Sequence, residues 1–143
     1  MKKYFFPAAL FSMALLLAGG LNAQIDQMAR DCQAEMETPF ITSNKTLKAF
    51  LTGEEVAEFR TTLFDGNIYR VVLCTPEAQA VAFSLYDTNR NLLYTSSDHS
   101  FSPSWDFKME GSMECIIEAR LNNKVSESGV AMLLIGFKHN KQN

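Results

Sequence analysis

The sequence predicts a mainly β protein: a single antiparallel β-sandwich, jelly-roll-like and of about eight strands, with a short N-terminal α-helix packed on it. Three observations carry that expectation. Between residues 46 and 138, apolar and polar residues alternate with period two over several short runs. Turn-forming groups such as Asp65-Gly66-Asn67 and Thr75-Pro76-Glu77 separate the runs. Helical periodicity is confined to the chain before Pro39. Many short strands with turns between them build sandwiches or barrels.

Taken in order, residues 1–23 read as a secretory signal peptide. Lys2 and Lys3 form a short positive region, no charge follows from Tyr4 until Asp26, and Leu21-Asn22-Ala23 precedes Gln24. The apolar core of about 13 residues is short against the roughly 20 needed to span a bilayer. Pro7 and the Gly19-Gly20 pair oppose one long helix. Cleavage is expected between Ala23 and Gln24. A cut near Ala18 is one alternative, and a retained N-terminal anchor is the other. No cysteine follows the apolar run, so a lipidated N-terminus is not expected. The mature chain would be one domain with room for a core. Loss of Lys2 and Lys3 takes its net charge from −3 to −5. Its Lys and Arg residues are scattered, so nucleic acid and anionic membrane surfaces are not expected partners.

Residues 24–40 are expected to form the amphipathic helix. Ile25, Met28, Ala29, Cys32 and Met36 recur at steps of three and four, with Asp26, Arg30, Asp31 and Glu35 facing away. Thr38-Pro39 should end it, because the residue before proline avoids helical geometry. The sandwich follows over residues 41–139. A short strand near 46–51 leads to a run in which Ala57, Phe59, Thr61 and Leu63 alternate with Glu58, Arg60 and Thr62. Strands 68–74, 79–86 and 91–96 come next. Trp105, Phe107 and Met109 then alternate with Asp106, Lys108 and Glu110, which points Trp105 into the core. The alternative is an exposed ring gripping a sugar. Met113, Cys115, Ile117, Ala119 and Leu121 define the next inward face. "GVAMLLIGF" is apolar on both sides, as in a central strand covered on both faces. Residues 140–143 are polar and expected to fray.

Three cysteines, Cys32, Cys74 and Cys115, allow one disulfide. Cys115 lies mid-strand on the inward face, as a buried thiol. Cys32 and Cys74 lie towards the ends of their elements and are the expected pair, with three reduced thiols as the alternative. Asp87, Asn89, Asn91 and Asp98 occupy positions 1, 3, 5 and 12 of a calcium-loop spacing. Position 6 is Leu92 where the bend needs glycine, and the flanks are strand-like, so a hairpin turn is expected instead. His99 and His139 have no Cys or His at zinc-ligand spacing. The sequence holds no nucleophile elbow and no glycine-rich phosphate loop. No cofactor and no catalytic residue is therefore expected.

"IYRVVLC", "FSLYDTNRNLLYTSS", "WDF", "CIIEARL" and "SGVAMLLIGFK" together resemble a family of small exported bacterial proteins of unassigned activity. The likeness covers most of residues 46–138, with Val130 where a cysteine would be expected. A bacterial source sets aside the glycosylation sequon at Asn44. More loosely, the "Y-R-V" strand followed by the "F-S-L-Y-D" hairpin is similar to the pre-peptidase C-terminal type of β-sandwich. That resemblance implies binding or export assistance rather than catalysis. The leading expectation is a non-enzymatic binding or envelope-associated module in the periplasm or outside the cell, with an envelope protein or a glycan as partner. Asp87, Asn89, Arg90 and Asn91 are the candidate surface recognition loop. Two alternatives are an assembly protein acting through a sheet edge or the N-terminal helix, and an enzyme with a Cys/His or carboxylate site such as Cys115 with His99.

Overall fold

The computed structural model describes residues 8–42 and 46–141, and of residues 8–19 and 21 the backbone alone. Lys2, Lys3, Pro7 and the Asn44 sequon lie outside the described residues.

Helix α1 runs Ala8–Ala34. It is continuous through Gly19-Gly20, contrary to expectation. Glycine weakens a helix by about 1 kcal/mol per residue but, unlike proline, removes no hydrogen bond. The helix also stops short of Thr38-Pro39. Instead Met36 N–H donates to Gln33 O at 3.0 Å and Phe40 N–H to Glu37 O at 3.1 Å, closing two turns. Met36 then packs over Gly136, where an added Cβ would lie 2.5 Å from Met36 Sδ. Phe40 is buried beneath two cations, the Arg70 guanidinium at 4.2 Å and the Lys138 ammonium at 4.7 Å from its ring centre. Tertiary contacts therefore decide where this helix ends.

The strands are β1 Ile41–Thr42, β2 Leu47–Thr52, β3 Val56–Leu63, β4 Asn67–Cys74, β5 Val81–Asp87, β6 Leu92–Thr95, β7 Ser104–Lys108, β8 Met113–Leu121 and β9 Ser128–His139. A 3₁₀ turn, Ser96–His99, links β6 towards β7. The two-residue β1 is the strand that alternation could not reveal. All pairings are antiparallel. One sheet has the order β1-β9-β4-β7, with β2 also on β9, and the other β3-β8-β5-β6. From β2 to β5 the chain steps between the sheets at each strand, and it does so again from β6 to β9. This is the interleaved order of a jelly roll. At the β3–β4 turn Gly66 takes φ +76°, which a side chain would resist.

Two cores result. Between the sheets lie Leu63, Val71, Phe83, Ile117, Ala131 and Leu133, all at or near full burial. On the outer face of the five-stranded sheet, Met28, Cys32 and Met36 from the helix pack with Phe40, Val72, Met132 and Leu134. Each Val, Leu, Ile, Phe or Met among them contributes roughly 1.5–3 kcal/mol by burial. Strand β9 serves both cores, which explains why its sequence is apolar on both sides. The tail is held at its start, since Asn140 N–H donates to Gly66 O at 2.8 Å.

Candidate functional site

The helix and the sandwich do not close completely on each other. Between them lies a groove of about 800 Å³, within the 300–1,000 Å³ range typical of ligand sites. One wall is a single face of α1, with Gln24, Gln27, Met28 and Asp31 spaced three and four apart, continued by Glu35 in the turn just past its end. The floor is the end of β4 with Val81. The far wall is the β4–β5 loop and the segment Ser100–Pro103.

That far wall is built from unusual backbone. Gln79, Ser100 and Phe101 have φ of 62°, 57° and 54°. All three line the groove, and non-glycine residues in this region cost about 1–3 kcal/mol each unless their surroundings hold them. Here the surroundings do so. Asn122 Nδ2 donates to Gln79 O at 3.0 Å and Asn122 N–H to Ala80 O at 2.7 Å. Phe101 N–H donates to Ser96 O at 2.8 Å, and Leu73 N–H to Pro103 O at 2.7 Å. The wall is thus a shaped rim tied to β4, to Asn122 just after β8, and to the 3₁₀ turn. Thr75 Oγ1, in the same rim, is sealed from solvent and has no hydrogen-bond partner.

The opposite wall is fixed covalently. Cys32 and Cys74 stand at S–S 2.12 Å with Cα atoms 5.6 Å apart, joining α1 to the last residue of β4 at the groove. Ala23 and Gln24, the expected cleavage pair, are exposed on α1, and Gln24 faces the groove.

The expected recognition loop lies elsewhere, in the β5–β6 turn. Asp87 accepts from Asn89 N–H at 2.9 Å, Asn91 N–H at 2.9 Å and Asn91 Nδ2 at 2.8 Å. The Asn91 bonds, side chain first, hold the Asp87 carboxyl below its ordinary range. This is turn chemistry. Asp98 stands apart in the 3₁₀ turn, and among the described residues no three His, Cys, Asp or Glu side chains gather as metal ligands. Arg90 folds back over the four-stranded sheet and pairs with both Glu58 and Glu118. These two glutamates sit directly opposite each other on β3 and β8. Like charges in that position repel, and Glu118 is buried at 3% exposure. Arg90 bridges the pair, and Arg120 Nε adds a second cation 3.4 Å from Glu118. Sequence reading missed this cluster because only the register places Glu58 across from Glu118.

Trp105 does point inward, but at the open edge of the sandwich, where it keeps 37% exposure. It closes a ring cluster with Tyr94 at 4.8 Å and His99 at 4.4 Å. His99 thus stacks on aromatics rather than meeting Cys115. The Cys115 thiol donates to Thr61 O at 3.5 Å. It is buried, and burial pushes its pKa from near 9 to about 11, which makes it a poor nucleophile at neutral pH.

No protein-family model matches the chain, and no curated protein matches it. Among solved structures it is similar to the crystal structure of Aeromonas hydrophila PliG, a periplasmic lysozyme inhibitor of g-type lysozyme. The TM-score is 0.54 at 12% identity, over 71% of this chain and 90% of that one. At that identity the likeness speaks for the fold alone. Among the described residues, no helix is long and apolar enough to cross a membrane.

Proposed function

We propose that this chain is an exported, non-enzymatic protein that works by binding another protein in the cell envelope, through the groove between α1 and the β4–β5 loop. The groove carries the reading: a large concavity with one wall bonded by a disulfide and the other held in strained backbone by four hydrogen bonds. Pre-organisation of that kind serves recognition, since a rigid site loses little freedom on binding. Three further points support it. A disulfide persists in oxidising compartments outside the cytoplasm. The N-terminal lysines and apolar run suit export. A protein of similar fold is described as a periplasmic lysozyme inhibitor.

The test is fractionation and co-purification of the full chain, tagged at its C-terminus and expressed with its own N-terminus. The expected result is release by osmotic shock, processing near Gln24, and recovery with one protein at fixed stoichiometry. Retention in the cytoplasm, or a purified chain that turns over a substrate, would overturn the proposal.

One observation favours a second reading, assembly through a sheet edge. Phe50 on β2 is 73% exposed at the border of the five-stranded sheet. Light scattering decides it: a mass that stays monomeric as concentration rises removes this reading.

A further inference from the structure

We infer that the groove takes a segment of the partner protein that presents an apolar side chain beside a lysine or arginine. This rests on the proposed function and names the chemistry the site would recognise. Leu73, Val81, Phe101 and Pro103 give the floor and rim an apolar surface. Among the described residues, the charged side chains lining the groove are Asp31 and Glu35, four positions apart on the same wall, and no basic side chain lines it. Asp31 receives only the neutral amide of Gln27, at 2.8 Å. Arg70, the cation at this end of the helix, donates to the Glu35 carbonyl at 3.3 Å, but its fork is committed to Asp106 at 2.7 and 2.9 Å. The last turn of α1 carries no basic residue, so the negative end of the helix dipole adds to the field of Asp31 and Glu35. An anionic occupant would be repelled, and a purely apolar one would displace water from two exposed carboxylates without pairing them. A cationic group next to an apolar one meets both demands.

The experiment uses two blocked tetrapeptides as probes, one Arg-Leu-Lys-Phe and one Glu-Leu-Asp-Phe, titrated into the full chain labelled with nitrogen-15. The basic peptide is expected to shift the amides of Thr75–Val81 and Ser100–Phe101 saturably, and the acidic one to leave them in place. In the Asp31→Asn, Glu35→Gln double variant the basic peptide should bind about tenfold more weakly, the effect of two partly exposed ion pairs. The Asp31→Lys, Glu35→Lys variant should reverse the preference, and an unchanged melting curve shows that either variant is folded. Equal binding of both peptides, parental affinity in the double variant, or no shift with either peptide at millimolar concentration would overturn the inference. If the full chain still co-purifies with its protein partner while the peptides ignore the groove, only this inference fails. If no partner co-purifies, the proposed function fails with it.

Discussion

Replacing Cys32 and Cys74 by alanine removes the one covalent tie between α1 and the sandwich. The bond closes a loop of 42 residues. In the chain-entropy model a loop of that length restricts the unfolded chain by about 13 cal/mol/K, or about 4 kcal/mol at 25 °C. A domain of this size unfolds with an entropy of about 0.25 kcal/mol/K, so the melting midpoint should fall by about 15 °C. The loss should also be uneven. The inter-sheet core of Leu63, Phe83 and Ile117 does not involve the bond, whereas Cys32 is fully buried among Met28, Met36 and Val72. Calorimetry of the full chain and the double variant measures the first effect. Amide exchange measures the second: protection should drop in α1 and at the end of β4 before it drops in β8 or β9. A midpoint within about 3 °C of the parent would refute the loop-closure argument. Uniform loss of protection through β8 would refute the claim that the helix forms a separable second layer.

Three other outcomes follow from the packing. Gly136→Ala drives a methyl into Met36, and overpacking of this kind should destabilise by about 1–3 kcal/mol, with Met36→Ala recovering part of it in a urea titration. Arg90→Ala leaves Glu118 buried opposite Glu58. The bond from Arg90 lowers the Glu58 pKa, so its stabilisation is present above the unfolded carboxylate range and is lost as pH falls through the lowered folded value. The variant should therefore melt below the parent at pH 7, and the gap should narrow at pH 3.5. Burial raises the Cys115 pKa to about 11, so the sign is opposite. Its contribution is complete below the unfolded thiol pKa and declines as pH rises towards 11. Cys115→Ala should flatten that decline, and a thiol reagent at pH 8 should label one equivalent only after denaturation.

Most of the sandwich was legible in the sequence because period-two alternation fixes the face of each residue directly. Strands β3, β5 and β8 fell where alternation placed them, and the doubly covered β9 fell where its unbroken apolar run placed it. Alternation does not say where a strand sits across the sheet, so Trp105 was placed inward without its position at the open edge. The helix end was misplaced because Thr38-Pro39 is the nearest local stop signal, while packing of Met36 and Phe40 bends the chain earlier. The groove was illegible for a different reason. Its walls come from residues 24–35, 75–81 and 100–103, which no local pattern connects. The acidic face of α1 was visible, but not what it faces. Arg90 read as a free turn residue because its partners lie on two strands far from it in sequence.

Photo-crosslinking in the partner complex tests the binding reading most directly. A photoreactive residue at Gln27, inside the groove, should trap one protein of fixed mass in the envelope fraction. The same residue at Thr62, on β3 in the opposite sheet, should trap none. Equal trapping from both positions, or trapping from Thr62 alone, would contradict the groove as the site of recognition.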